Sequence, residues 1–127
     1  GVQVGTRFLI ADECLIHENY KEKLLKASDV STMVTGKSMG DAVRCLKTPF
    51  SKKFFKMEYD PAVPKEEVLD FGKGAMRKAV FDGDNMGSYL AGEVAGMIHK
   101  KESAKDIVED IMGGAEKLLK NAPALVK

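Results

Sequence analysis

The chain has 127 residues, 44% of them hydrophobic and 31% charged, with 20 Lys and Arg against 19 Asp and Glu for a formal charge of +1. That size and apolar share allow one domain with a real core, and the near-balanced charge argues against a dedicated nucleic-acid binder, which carries a marked basic excess. No apolar run approaches the ~20 residues that cross a bilayer, and nothing reads as a signal peptide.

In chain order, Gly1-Val2-Gln3-Val4-Gly5-Thr6-Arg7-Phe8 reads as the end of a buried parallel strand opening into a small-residue turn. Val2 and Val4 are β-branched and suit a pleated, buried strand. Gly5 lets a ligand approach the backbone, and Thr6 adds a hydroxyl and an N–H. A turn-rich stretch over Ala11–Ile16 leads to a helix from about His17 to Ala27, with Ile16, Tyr20, Leu24 and Ala27 at helical spacing.

Ser31–Thr35 and Ala42–Leu46 read as two strands joined by the five-residue loop Gly36–Gly40. Pro49 separates this hairpin from a helix over Ser51–Glu58 with a Phe50, Phe54, Met57 stripe. Asp60-Pro61-Ala62-Val63-Pro64 is a linker, since two prolines bar regular pairing. Lys65 onward turns helical with Val68, Leu69 and Phe71 inward, and a short helix over Ala75–Phe81 precedes the loop Asp82–Gly87.

The spacing predicts a helix from Ser88 to about Lys101, with Ala91, Gly92, Ala95 and Gly96 as a small-residue face. The last helix starts at Ser103 with Asp106 in a capping-box-like position, carries Ala104, Ile107, Val108, Ile111, Met112, Ala115, Leu118 and Leu119 on one face, and closes at Pro123. Gly113-Gly114 costs that helix about 1 kcal/mol per glycine and predicts close packing or a kink.

Cys14 and Cys45 lie far apart without a Cys-x-x-Cys pattern, which points to a reducing, cytoplasmic setting. His17 and His99 are not at ligand spacing with any Cys or acidic cluster, so no metal is expected.

Gly1 to Phe8, His17-Glu18-Asn19-Tyr20-Lys21-Glu22-Lys23, Gly40-Asp41-Ala42-Val43-Arg44, Gly83-Asp84 and Gly87-Ser88-Tyr89-Leu90-Ala91-Gly92-Glu93-Val94-Ala95-Gly96 occur in this order. Together they resemble the C-terminal part of the flavin-dependent enoyl-acyl-carrier-protein reductase II family, close kin of the nitronate monooxygenases (2-nitropropane dioxygenases). The resemblance runs from Gly1 to about Asn121 and is most specific in its first and last segments.

The resemblance implies an α/β fold, the C-terminal part of a (β/α)₈ TIM barrel from the last barrel strand onward, with a small inserted hairpin and helical substrate region. Residues 1–27 would hold the last barrel strand and its helix, 28–82 the insertion, and 83–127 the helices returning to the barrel. A complete barrel takes about 200 residues or more, so most of it is expected outside this chain.

Gln3, Val4, Gly5 and Thr6 are the implied flavin contacts. A flavin mononucleotide (FMN) phosphate needs several donors at once, and backbone N–H groups at Gly5 and Thr6 with the Thr6 hydroxyl can supply them. Ser88 and Gly92 are implied to line the substrate pocket, and Gly96 to serve close packing. At Glu93 this family commonly carries glutamine.

The family's catalytic histidine lies on earlier strands and no position here matches it, so no catalytic residue is assigned. The implied activity is reduction of enoyl-acyl-carrier-protein with NAD(P)H through FMN. Nitronate oxidation is the rival enzyme reading, and a cofactor-free helical interaction module the rival of another class; the sequence does not separate NADH from NADPH.

Arg44, Lys47, Lys52, Lys53 and Lys56 form a basic stretch that could steer an acidic acyl carrier protein. Lys73, Arg77 and Lys78 are a weaker case for dinucleotide phosphates. With Val2–Val4 as an orphan edge, the chain alone is expected to be inactive and to associate, as a homodimer or with the remainder of the barrel.

Overall fold

The computed structural model describes residues 1–125. Its elements are α1 (Thr6–Leu9), α2 (Glu18–Leu25), β1 (Thr32–Thr35), β2 (Val43–Leu46), α3 (Pro49–Glu58), α4 (Lys65–Gly72), α5 (Ala75–Arg77, continued as a π-helical turn Lys78–Asp82) and α6 (Ala104–Asn121). Short 3₁₀ turns occupy Lys37–Met39, Glu93–Met97 and Ala122–Leu125.

The hairpin forms as expected, with β1 and β2 antiparallel in the register Thr32↔Leu46 to Thr35↔Val43. Its loop needs glycine at both ends. Gly36 and Gly40 each have φ of 79°, and a Cβ on Gly36 would lie 2.2 Å from the Asp41 carbonyl oxygen. Glu58, at the end of α3, is buried and accepts the N–H groups of Gly36 at 2.9 Å and Ser38 at 2.7 Å. The carboxylate therefore fastens the hairpin loop to α3.

Helix α3 starts where proline is tolerated, with Pro49 in its first turn. Its cap is reciprocal: the Ser51 N–H donates to Thr48 Oγ1 at 3.2 Å, and the Thr48 N–H donates to Ser51 Oγ at 2.8 Å. Phe50 stacks on Phe71 with ring centroids 5.2 Å apart, coupling α3 to α4. His17 caps α2 by accepting the Asn19 N–H on Nδ1 at 3.1 Å.

The main core draws on residues spread from Ile10 to Ile98: Ile10, Tyr20, Leu24, Leu46, Ala79, Tyr89, Ala91, Ala95 and Ile98. Tyr20 meets Tyr89 edge-on with centroids 4.8 Å apart, a geometry worth about 0.5–1.5 kcal/mol beyond burial. Each hydroxyl also finds an acceptor, Tyr20 on the Leu90 carbonyl at 2.7 Å and Tyr89 on that of Asp84 at 2.9 Å.

Several expectations are overturned. Val2–Val4 is not a strand: residues 1–5 carry no regular structure, and Val2 is 83% exposed. A parallel strand needs a hydrogen-bonded neighbour, and none pairs with this segment among the described residues. The helix from Ser88 to Lys101 is also absent. Tyr89–Ala91 instead lies along β2, with the Leu46 N–H on the Tyr89 carbonyl at 2.8 Å, the Ala91 N–H on the Arg44 carbonyl at 3.1 Å, and an antiparallel bridge from Cys45 to Leu90. Only the 3₁₀ turn Glu93–Met97 follows. Alternation wins over helical spacing here because Tyr89 and Ala91 both turn into the core from an extended backbone.

Leu69 is 53% exposed rather than inward. The apolar stripe of α6 is buried only at Ile107, while Met112, Leu118 and Leu119 stand exposed. The helix runs through Gly113 and Gly114 unbroken, and a Cβ on either would meet no atom within 4 Å, so neither close packing nor a kink explains them. No helix among the described residues is long and apolar enough to cross a membrane.

Candidate functional site

The turn at Gly5 and Thr6 is where the first residues meet the segment around Gly92. Gly5 precedes α1 as its N-cap, and Thr6 is the helix's first residue. Thr6 Oγ1 accepts the N–H of Gly92, 86 residues away, at 2.8 Å. A Cβ on Gly92 would sit 3.3 Å from that oxygen, so a small residue keeps the approach open. Among the described residues the N–H groups of Gly5 and Thr6 have no partner.

An ion-pair clamp holds this turn in place. Arg7 pairs with Glu102, which also pairs with Lys100, and Arg7 Nη1 donates to the Lys100 carbonyl at 3.1 Å. The Asp12 N–H donates to the Glu102 carbonyl at 3.0 Å, beside a parallel bridge from Ala11 to Glu102. Sequence reading missed Arg7 and Glu102, because nothing in local spacing links residues so far apart.

Two hollows open on either side of the Thr6–Gly92 contact. The larger, about 500 Å³, is lined by Gln3, Val4, Gly5, Thr6, Arg7 and Gly92 with an apolar wall of Val94, Met97, Ile98 and Ile111. The other, about 370 Å³, is lined by Gly5, Thr6, Leu9, Arg44, Leu90, Ala91 and Gly92. Thus the structure brings Gln3, Val4, Gly5, Thr6 and Gly92 together around one contact.

Ser88 does not join them. It lines a separate cavity of about 350 Å³ between the hairpin, α3, α4 and α5, with Phe50, Phe54, Leu69 and Met76 among its walls. Its N–H does not open a helix but donates to the Ala75 carbonyl at 2.9 Å. Gly96 serves packing: a Cβ there would lie 2.5 Å from both the Asp29 nitrogen and the Ser28 carbonyl carbon.

The basic stretch is not one uniform surface. Arg44 is drawn to Thr32 Oγ1 at 3.1 Å and to Glu93 Oε1 at 3.4 Å. Lys47 donates to the Val30 carbonyl at 2.7 Å, and Lys53 sits 4.8 Å over the Phe71 ring. Lys73 pairs with Asp70 at 2.6 Å, and Arg77 lies 5.3 Å over Phe81.

Burial pushes the Cys45 thiol above its ordinary range despite contacts with Thr35 and Ser51, and burial likewise raises Tyr20 and Tyr89. All three are neutral at physiological pH and act as packing groups. Among the described residues no group of three or more His, Cys, Asp or Glu could hold a metal ion.

Known proteins match this arrangement. The family model described as nitronate monooxygenase matches residues 1–114. A curated relative, "Probable nitronate monooxygenase" of Staphylococcus saprophyticus, is 27% identical over 120 residues, 94% of this chain and 33% of its own length. FabK from Thermotoga maritima superposes with a TM-score of 0.92 at 35% identity, covering 99% of this chain and 40% of FabK. A methionine-to-alanine mutant of the same FabK gives 0.81 at 33% identity, covering 99% of this chain and 37% of that one. The chain therefore spans roughly a third to two fifths of the relatives it matches.

Proposed function

This chain belongs to the nitronate monooxygenase family, and from that premise we propose that it forms the C-terminal part of an FMN-dependent oxidoreductase whose barrel is completed by further chain. The observation that carries the reading is the meeting of Gly5, Thr6 and Gly92 beside an apolar wall. Two unpartnered N–H groups and a hydroxyl suit a phosphate. Val94, Met97, Ile98 and Ile111 offer an apolar surface against which a flat ring system excludes water. The residues present fit the phosphate-bearing end of FMN.

In this reading the Gly5 and Thr6 N–H groups hold the phosphate, Gln3 and Val4 line its approach, and Gly92 keeps the Thr6 hydroxyl in position. The Arg7–Glu102 pair fixes the turn. Bound FMN supplies two-electron transfer from a reduced nicotinamide to substrate. No catalytic residue is assigned to this chain.

Reduction of enoyl-acyl-carrier-protein is supported by the similarity to FabK. Lys47, Lys52, Lys53 and Lys56 would then attract the acidic carrier protein. Nitronate oxidation is the second reading, supported by the family model and by the one cation lining the smaller hollow, Arg44.

The test is flavin occupancy in the full-length gene product. Thr6→Val combined with Gly5→Leu is expected to lower bound flavin, read from visible absorbance per polypeptide. Unchanged occupancy would refute the assignment. The 127-residue chain alone is expected to turn over neither an enoyl thioester nor a nitronate, and turnover of either would overturn the reading.

A further inference from the structure

Where α2, β2 and α3 meet, a hollow of about 220 Å³ gathers positive charge. Three lysines line it, Lys23 and Lys26 from α2 and Lys47 directly after β2, together with Ser31 and Thr48. No aspartate or glutamate does so among the described residues.

Two of the three ammonium groups are held by neutral oxygens. Lys23 Nζ donates to Asn85 Oδ1 at 2.8 Å and lies 5.3 Å over the Tyr89 ring. Lys47 Nζ donates to the Val30 carbonyl at 2.7 Å, and its backbone N–H donates to the Ser31 carbonyl at 2.8 Å. An ammonium has three donors, so each of these keeps two, and neither faces an opposite charge. Lys26 does meet a carboxylate, Glu22, at 3.2 Å, but both side chains are largely exposed, and such a pair is weak and easily exchanged. A further donor lies at the base of the hollow. Thr48 is buried, its Oγ1 accepts the Ser51 N–H at 3.2 Å, and its own proton has no acceptor among the described residues.

Cations that converge on one concavity repel each other and raise the local concentration of anions. Ammonium groups act as point charges and lack the flat fork that selects a carboxylate, so they favour a compact anion of high charge. The hollow is smaller than the ~300 Å³ at which pockets begin to enclose a drug-sized ligand. It therefore has room for the anionic end of a ligand and not for a whole nucleotide.

We propose that this hollow binds a phosphate or diphosphate group. The anion bridges Lys23 and Lys26 on one side to Lys47 and Thr48 on the other, and so ties α2 to the start of α3. The site goes beyond the flavin reading and does not depend on it, since none of its residues lines the hollows around Thr6 and Gly92.

The experiment titrates the 127-residue chain separately with inorganic phosphate, inorganic diphosphate and adenosine monophosphate. Amide shifts of Ser31, Lys47 and Thr48 are followed by NMR, and those of Gly5 and Thr6 report the flavin-phosphate turn in the same spectra. Diphosphate should shift the first set saturably, bind more tightly than phosphate, and weaken between low ionic strength and about 0.15 M salt. Adenosine monophosphate separates the sources: tighter binding than phosphate identifies a phosphate ester, and equal or weaker binding identifies the free anion.

Lys47→Gln and Lys23→Gln should each weaken diphosphate at least about fivefold, as loss of one charge-assisted donor does. Lys47 is exposed, so its variant keeps the fold even where that of Lys23, packed over Tyr89, does not. Lys52 is an exposed lysine of α3 outside the hollow, and Lys52→Gln should change binding less than about twofold. Shifts that never saturate, unchanged binding by Lys47→Gln, or an equal loss in Lys52→Gln would each overturn the proposal. Flavin occupancy of the full-length protein is measured separately, so failure of this site and failure of the flavin reading are distinguishable.

Discussion

Replacing Gly96 by alanine adds one methyl group at a place where the structure leaves no room. The new Cβ would lie 2.5 Å from the Asp29 nitrogen and 2.5 Å from the Ser28 carbonyl carbon. Carbon contacts relax to about 3.5 Å or more, so one backbone must retreat by about 1 Å. The Ser28 segment resists, because the Ser28 N–H is bound to Ser31 Oγ at 2.8 Å and its carbonyl takes the Ser31 N–H at 3.1 Å. Neighbouring Ala95 and Ile98 are core residues and resist from the other side. Overpacking of this type costs about 1–3 kcal/mol, or a fall in Tm of about 3–5 °C per kcal/mol for a chain of this size. Urea unfolding should show a lower midpoint at unchanged slope. Gly113→Ala is the internal control. It has no atom within 4 Å and lies inside α6, so it should stabilise by about 0.5–1 kcal/mol. If Gly96→Ala stays within about 0.5 kcal/mol of the parent, the size of an ordinary surface substitution, the close approach of these two segments is wrong.

Stability should fall in alkali through buried acids. Cys45 has an ordinary value of 9.0 and is raised in the fold, so above pH 9 the unfolded chain loses a proton that the folded chain keeps. Each such group takes away up to about 1.4 kcal/mol per pH unit; Tyr20 and Tyr89, ordinarily at 10.0, join from pH 10 upward. Cys45→Ala should flatten the loss between pH 9 and 10 in denaturation series, and an unchanged slope would contradict the burial of the thiol. Separately, Val2, Met97, Leu118 and Leu119 are exposed, and large apolar side chains left uncovered favour association where they lie together. Sedimentation velocity of the isolated chain at micromolar concentration should show self-association, and a compact monomer would refute that.

Local chemistry was legible where it is self-contained. The Gly36 and Gly40 ends of the hairpin loop, the boundary at Pro49 where α3 begins and Ser103 capping α6 each follow from the residues at hand. The segment after Gly87 was not legible, because Tyr89–Ala91 takes its form from β2, with Leu90 bridged to Cys45 far earlier in the chain. Helical spacing of small residues at Ala91, Gly92, Ala95 and Gly96 imitated a face, yet Gly96 is small because Ser28 lies against it. The site divides the same way. Gly5 and Thr6, implied by resemblance as flavin contacts, meet Gly92, whereas Ser88, implied together with Gly92 as pocket lining, faces a different cavity. Arg44 read as one of a run of lysines, since only its strand and its partner Glu93 set it apart.

The clamp between Arg7 and Glu102 has a bearing on how the chain becomes native. Closing a loop of about 95 residues costs about 4 kcal/mol beyond a constant, by the (3/2)RT ln n rule. The hairpin and α3, joined through Glu58, need no such closure and can form while the rest is still unstructured. Segments 6–12 and 92–102 therefore dock late, after the local elements have formed. The turn at Gly5 and Thr6, proposed above to hold a phosphate, is built from that late-docking seam. A ligand bound across it would act as a staple, adding its binding free energy to the closure that the chain makes itself.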